Sequence, residues 1–182
     1  MRGMSIDPAD ARAFPGFAQL DDRSIDDLRA RLRSIHLQQG ETLFRQGDHD
    51  PALYLLVEGT VDIVQTPRAG DRPDDRQPVA TRRARTVVGE LGLLLNVPRT
   101  ATVVASTDAV CWELTRPTFS SAIERSEAWA ARLALAIASE LARRFVDVQS
   151  EINQLDAGAN GPAHQPAELA RLRTRLLAEW AF

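Results

Sequence analysis

One short stretch combines a carboxylate, a guanidinium and closely spaced glycines around an apolar run. It extends from residue 87 to residue 105 and reads VVGELGLLLNVPRTATVVA. Gly89 and Glu90 come before the apolar run, and Arg99 and Thr100 come after it. The run is too short to cross a membrane, which requires about 20 apolar residues. The stretch therefore predicts an acidic and a basic side chain held one short helix apart, beside a buried surface.

The glycine and the expected helix favour an anionic ligand. A glycine allows backbone to approach a ligand closely, and the first turn of a helix presents unpaired N–H groups at its positive end. We expect this helix to run from Gly89 or Glu90 to about Leu95. The guanidinium of Arg99 can bind two phosphate oxygens, and the hydroxyl of Thr100 can add one hydrogen bond. These groups predict a phosphate-binding site.

Glu90 narrows the choice of ligand. A carboxylate repels a phosphate unless it faces a donor on the same ligand, and a ribose hydroxyl is such a donor. A nucleotide carries both groups and accounts for the glycine, the acid and the arginine together. The alternative is a buried ion pair between Glu90 and Arg99 that only holds a loop in place, since such pairs are common scaffolding.

The segment GELGLLLNVPRTATVVA resembles the phosphate-binding cassette of the cyclic nucleotide-binding domain family. The upstream segment FRQGDHDPALYLLVEGTVDIV resembles the glycine-marked strands of the same family, and the resemblance covers roughly residues 14–150. It implies a mainly β fold with flanking helices, in which a double-stranded β-helix (a jelly-roll-like β-roll of eight strands) is followed by a long C-terminal helix. It also implies binding of cyclic AMP or cyclic GMP without catalysis and without a cofactor.

The resemblance further implies a role for each cassette residue. Glu90 would accept a hydrogen bond from the ribose 2′-hydroxyl beside Gly89, whereas Arg99 and two backbone N–H groups would hold the cyclic phosphate. Thr100 would bind near the phosphate or the base, and Arg144 or Phe145 would cap the base. A helical seam is the favoured alternative for Phe145. The full set of expected ligand-binding residues is Gly89, Glu90, Leu91, Gly92, Arg99, Thr100, Val61, Ile63, Val79 and Arg144.

The turn before the cassette departs from the family pattern. Family members have a Gly-x-Gly turn there, whereas residues 82–86 read RRART. An arginine at a positive φ costs about 1 kcal/mol, so we expect a different local conformation in this turn. The preferred base stays open, with cyclic AMP favoured over cyclic GMP.

Hydrophobic periodicity predicts the elements that hold these residues. Alternation at period two, with glycines between the runs, is typical of short strands in a sandwich or barrel. Helical spacing predicts a helix over residues 24–35, capped by Ser24. The predicted strands lie at residues 53–57, 61–65 and 79–81 and in the segments TATVVAS and AVCWELT, with an exposed polar loop at 66–78.

A long helix is predicted over residues 126–156, and its apolar residues recur at heptad-like spacing. The last of them follow the a/d pattern of a coiled coil, which predicts a homodimer through residues 129–155. The alternative is that the stripe packs against the protein's own β-roll. The stripe consists of Trp129, Leu133, Ile137, Leu141, Phe145, Val148, Ile152 and Leu155.

The predicted organisation is a β-roll with an N-terminal helix over residues 1–125, the long helix at 126–156, a linker at 157–166 and an amphipathic helix at 167–182. The C-terminal part is too short for the helix-turn-helix of transcription regulators, so direct binding to nucleic acid is not expected. Two functions remain open. The first is a cyclic nucleotide sensor that signals to a protein effector, and the second is a ligand-free protein for interaction or dimerisation.

Composition excludes several other classes. The formal net charge is −3, which does not favour nucleic acid or an anionic membrane surface. The single cysteine, Cys111, excludes an internal disulfide and, with no targeting segment recognised, indicates a cytoplasmic protein. The histidines lack metal-ligand spacing and no phosphate-loop motif occurs, so an enzyme is not expected. A metal site at the turn GDHD, residues 47–50, is a weak alternative.

Overall fold

The computed structural model describes residues 11–65, 78 and 80–158, with the backbone alone described for Val148 and residues 151–158. Within these residues the chain forms eight strands and four α-helices, preceded by a 3-10 turn at Phe17–Gln19. The strands are β1 (Arg33–Leu37), β2 (Thr42–Phe44), β3 (Ala52–Glu58), β4 (Thr60–Val64), β5 (Ala80–Arg83), β6 (Thr86–Val88), β7 (Thr102–Ala105) and β8 (Ala109–Thr115). The helices are α1 (Asp22–Arg29), α2 (Glu90–Leu95), α3 (Arg116–Glu124) and α4 (Ala128–Gly158).

The strands form two antiparallel four-stranded sheets. Their orders are β1-β8-β3-β6 and β2-β7-β4-β5. Strand β3 is buried along nearly its whole length, because its alternate side chains enter two different hydrophobic clusters. Tyr54 and Leu56 enter an inner cluster that draws on both sheets, whereas Leu53 and Leu55 pack under the helices. This arrangement confirms the expected β-roll with flanking helices.

The long helix α4 lies against the outer cluster of the first sheet. Trp129, Leu133 and Ile137 are buried there, so the first half of the expected dimer seam packs inside the protein's own fold. A different face of α4 exposes Leu135 and Phe145. The side chains of Val148, Ile152 and Leu155 lie outside the described residues. The apolar residues of α4 therefore lie on two faces of the helix, whereas the sequence pattern predicts a single stripe.

The predicted helix over residues 24–35 is wrong at both ends. Asp21 is the N-cap, because its carboxylate accepts the backbone N–H of Ser24 at 2.9 Å and the helix begins at Asp22. The helix ends at Arg29, and Ile35 lies in β1, paired with Cys111 of β8. Ile35 has helical spacing from the residues before it by coincidence, since it is part of a strand.

Three other expectations concern strand β5, the loop before it and the C-terminal segments. The strand predicted at 79–81 is seen as β5 from residue 80, while Val79 and the loop at 66–77 lie outside the described residues. Helix α4 continues through Gly158, into the first two residues of the predicted linker. The rest of that linker and the predicted helix at 167–182 lie outside the described residues. None of the helices in the described ranges has the length and hydropathy to cross a bilayer.

The arginine-rich turn between β5 and β6 keeps a positive φ. Arg85 has φ 71°, and its backbone N–H donates to the carbonyl oxygen of Leu56 at 2.8 Å. The expectation that the turn would avoid this conformation is therefore wrong. The backbone hydrogen bond to β3 helps to hold Arg85 in a region that favours glycine.

Candidate functional site

The short helix α2 forms where the cassette predicts it. Gly89 precedes the helix with φ 87°, a conformation that favours glycine, and the helix covers Glu90–Leu95. Asn96 ends it in the left-handed region, with φ 56° and its N–H donating to the carbonyl oxygen of Gly92 at 3.0 Å. The expected bounds of this helix are confirmed.

Arg99 is buried directly beneath the start of α2. Its side chain is 1% exposed, and its Nη1 donates to the carbonyl oxygen of Ala52 at 2.8 Å and to that of Gly89 at 3.4 Å. The guanidinium carbon lies 4.0 Å from the ring centroid of Phe44 and 5.3 Å from that of Tyr54. Backbone carbonyls and aromatic rings thus hold a permanent positive charge inside the β-roll.

Two nitrogens of this guanidinium have no hydrogen-bond acceptor. Both Nε and Nη2 of Arg99 are buried without a partner, and the Asp50 carboxylate lies 3.9 Å from Nη2, beyond hydrogen-bond distance. Burial lowers the pKa of Arg99, yet an arginine remains charged. A buried cation with two unpaired donors is costly unless an anion completes it. This geometry fits a phosphate group.

Glu90 is also buried, but its partner is on the long helix. Its Oε1 accepts from Nη1 of Arg144 at 3.0 Å, and Arg144 also donates through Nε to Glu140 at 3.1 Å. The other oxygen of Glu90, Oε2, is buried without a partner. Burial raises the pKa of Glu90 to about 7, against the opposing effect of the Arg144 charge. This carboxylate therefore ties α2 to α4 while keeping one acceptor for a further donor.

Glu90 and Arg99 occupy different surroundings. A cleft between the 3-10 turn, α2 and α4 is lined by Glu90, Arg144, Val87 and Ile137, and Arg99 does not line it. Arg99 instead lies with the rings of the inner cluster. No ion pair joins Glu90 to Arg99, so the alternative of a pair that only holds a loop is wrong, whereas a common ligand cavity stays a prediction. Glu90 lines this cleft together with Val87, which belongs to the outer cluster under the helices.

The other expected site residues separate into three groups. Val61 and Ile63 are fully buried in the inner cluster, close to the aromatic rings that hold Arg99. Gly92 is buried in α2, and a Cβ placed on it would lie 3.2 Å from Nη1 of Arg99. Leu91 and Thr100 are half-buried. Val79 lies outside the described residues.

At the long helix, Arg144 reaches the cassette through Glu90, whereas Phe145 is 53% exposed on a different face. Three groups that hold the guanidinium of Arg99 were not predicted from the sequence: the ring of Phe44, the ring of Tyr54 and the carbonyl oxygen of Ala52. We call these three groups the arginine seat. The only signal for Tyr54 was its place on the inner side of an alternating strand.

The turn at residues 47–50 belongs to no cluster of three or more metal-ligating side chains within the described part of the chain.

Comparisons with known proteins agree with this fold. Residues 34–126, about half of the chain, match the family described as cyclic nucleotide-binding domain. A cAMP-dependent protein kinase regulatory subunit of Candida albicans is 36% identical over 103 residues, which cover 57% of this chain and 20% of that protein. The chain thus spans about a fifth of the length of this relative.

Two solved structures resemble most of the described fold. The N-terminal domain of a transcriptional regulator from Streptomyces coelicolor A3(2) superposes with a TM-score of 0.64 and 31% identity, covering 77% of this chain and 94% of that one. The catabolite activator protein of Thermus thermophilus gives a TM-score of 0.65 and 28% identity, covering 78% of this chain and 63% of that one. With its β-roll, its cassette helix and its buried arginine, the chain belongs to the cyclic nucleotide-binding domain family.

Proposed function

We propose that this chain is a regulatory sensor that binds a cyclic nucleotide, with cyclic AMP preferred, through Arg99 and Glu90. The observation that carries the proposal is the pair of unpaired, buried nitrogens on Arg99 beneath the cassette helix. The phosphate would bind these nitrogens, with backbone N–H groups at Leu91 and Gly92 completing its contacts. The ribose 2′-hydroxyl would donate to the free oxygen of Glu90.

The choice of cyclic AMP rests on the relatives. The regulatory subunit of Candida albicans and similar proteins from other fungi are named as cAMP-dependent. Thr100 is compatible with either base, so the cassette itself does not select between them. Cyclic GMP is therefore the competing ligand in any binding experiment.

Signal transmission would begin at the contact between Glu90 and Arg144. A ligand that bonds to Glu90 changes the partners of a carboxylate that also holds α4 through Arg144 at 3.0 Å. A ligand shifts a conformational equilibrium only by its different affinity for the two states. The two states here would be α4 bonded to Glu90 and α4 released from it, and an effector or a second copy of the chain would read the difference.

A homodimer would use the outer face of α4. The expected residues Trp129, Leu133 and Ile137 are buried in the protein's own core and cannot reach a second copy. Residues 135, 138, 142 and 145 repeat at spacings of three, four and three, and all four are exposed. This pattern can form a short coiled-coil seam, with Leu135 and Phe145 as its large members.

The test is isothermal titration of the protein with cyclic AMP and cyclic GMP. The wild type is expected to bind at least one of them, and Arg99→Ala is expected to abolish the binding. Arg125→Ala is the control, because the Arg125 side chain is 73% exposed and lies 4.0 Å from Glu127, outside the cassette and the groups that hold Arg99. A wild type that binds neither nucleotide at millimolar concentration refutes the proposal, and equal effects of the two substitutions refute the role of Arg99.

One observation favours a second candidate, a ligand-free interaction protein. Glu90 already has a charged partner in Arg144, and Arg99 does not line the cleft that Glu90 lines. In this case the cassette would serve as a scaffold for α4, and the outer face of the helix would do the binding. Failure of the titration together with a concentration-dependent dimer in light scattering would support this candidate.

A further inference from the structure

We propose that Phe44 and Tyr54 are positioning residues that fix the guanidinium of Arg99 so that its Nε and Nη2 are presented to the phosphate of the ligand. The inference rests on the proposed function and deepens it, because it names the side chains that set the geometry of the anion site. Neither aromatic residue needs to touch the ligand for this role.

The two rings form a stacked base under the charge. Phe44 and Tyr54 are 3% and 2% exposed, and their centroids lie 5.7 Å apart at an interplanar angle of 28°. The guanidinium carbon of Arg99 lies 4.0 Å from the Phe44 centroid. A cation over an aromatic face is attracted by the ring quadrupole, and the attraction is strongest where water is excluded. Phe44 therefore stabilises Arg99 where no carboxylate lies within hydrogen-bond distance of it.

Backbone carbonyls fix the rotation of the guanidinium above this base. Nη1 is held by the carbonyl oxygens of Ala52 and Gly89 at 2.8 and 3.4 Å. Because the guanidinium is planar and rigid, fixing one nitrogen and one face also fixes the other two nitrogens. Those two nitrogens, Nε and Nη2, are the ones without an acceptor. They form the edge that can bind two phosphate oxygens at once.

Polar contacts hold the second ring in turn. The Tyr54 hydroxyl lies 3.0 Å from Oδ2 of Asp50 and 3.1 Å from Oε1 of Glu113. Glu113 is buried and is bonded by Arg33 on β1 at 2.7 and 2.9 Å. One carboxylate from the loop before β3 and one from β8 thus fix the tilt of Tyr54, and Tyr54 stacks on Phe44. The network restrains Arg99 and leaves its Nε and Nη2 without a hydrogen-bond acceptor.

The first test needs no ligand and uses nuclear magnetic resonance of the arginine Nε–H groups. The Arg99 signal, assigned with Arg99→Lys, is expected to carry a ring-current shift that disappears in Phe44→Leu and persists in Phe44→Tyr. Phe119→Leu is the control, since Phe119 is equally buried but packs against Trp129. An Arg99 signal that is the same in wild type and Phe44→Leu overturns the proposal.

The second test compares cyclic AMP with adenosine, which lacks the phosphate. Phe44→Leu is expected to weaken cyclic AMP binding about tenfold, as the loss of a water-excluded cation–π contact should, and to change adenosine binding less than about twofold. Tyr54→Phe keeps the ring but loses the contacts with Asp50 and Glu113, so it is a second variant that should affect cyclic AMP alone. Equal losses for both ligands overturn the proposal. A wild type that binds neither ligand refutes the proposed function instead. The resonance measurement then decides whether Phe44 and Tyr54 hold the guanidinium of Arg99.

Discussion

The close approach of Arg99 to the backbone of Gly89 makes a substitution there unusually informative. A Cβ on Gly89 would lie 2.4 Å from Nη1 of Arg99 and 2.6 Å from the carbonyl oxygen of Ala52, at φ +87°. Gly40 has almost the same backbone conformation, φ +88°, but a Cβ there would meet nothing within 4 Å. Gly40→Ala therefore introduces backbone strain alone, whereas Gly89→Ala introduces the same strain and also displaces Arg99 from the groups that hold it.

The magnitudes follow from these two environments. Alanine in the left-handed region costs about 1 to 2 kcal/mol, and both variants share this cost. In Gly89→Ala the new methyl group also displaces Nη1 from the carbonyl oxygen of Ala52. A hydrogen bond to a charged group contributes about 1.5 to 3 kcal/mol. We expect a loss of about 1 to 2 kcal/mol in the free energy of unfolding for Gly40→Ala and about 3 to 5 kcal/mol for Gly89→Ala.

Urea unfolding followed by tryptophan fluorescence measures the two losses, and titration with cyclic AMP measures the accompanying effect on the site. Gly40→Ala is expected to bind the nucleotide like the wild type, whereas Gly89→Ala is expected to bind at least about tenfold more weakly because Arg99 has moved. Equal destabilisation of the two variants, or unchanged binding by Gly89→Ala, would show that Arg99 does not depend on the glycine.

Three further outcomes are expected. Burial raises the pKa of Glu90 to about 7, above its ordinary 4.5. The protonated carboxyl therefore stabilises the folded state fully below pH 4.5, and this contribution to the free energy of unfolding is lost as the pH rises from 4.5 to 7. In urea unfolding measured across that range, the wild type should lose on the order of 3 kcal/mol of unfolding free energy and Glu90→Gln should not. Identical pH profiles for the two proteins would contradict the raised pKa of Glu90. Leu133 is fully buried, whereas Val146 is 63% exposed on the same helix and is not one of the proposed seam positions. Leu133→Ala should therefore cost about 2 to 5 kcal/mol and Val146→Ala under about 0.5 kcal/mol in urea unfolding, and similar costs would mean that α4 packs through another face. Phe145→Glu should convert a dimer into a monomer in light scattering without changing the circular dichroism, and an unchanged mass would remove this face from the interface.

The cassette could be predicted well because its signals are local. Gly89 needs a positive φ, the apolar run after it sets the length of one short helix, and Arg99 follows at a fixed distance, so the bounds of α2 came directly from the residues. The strands followed from alternation at period two, which the burial of β4 and β7 shows directly. Strand β3 is buried on both faces instead, because they enter two different clusters.

The errors arose where distant residues decide the structure. Glu90 pairs with Arg144, 54 positions along the chain, and Arg99 rests on Phe44 of another strand, so neither partner could be found from local spacing. In α4, packing assigned Leu133 to the core and Phe145 to the surface, although both fit one helical stripe. At the N-terminal helix, the pairing of β1 with β8 drew Ile35 into a strand despite its helical spacing.

The central claim is that one cyclic nucleotide joins the buried guanidinium of Arg99 to the buried carboxylate of Glu90. A crystal structure of the chain grown with cyclic AMP tests it most directly. The phosphate is expected on Nε and Nη2 of Arg99 and the ribose 2′-hydroxyl on Glu90, with the contact between Glu90 and Arg144 altered. Crystals with no nucleotide at the cassette, or with one bound elsewhere while Arg99 keeps its two unpaired nitrogens, would contradict it.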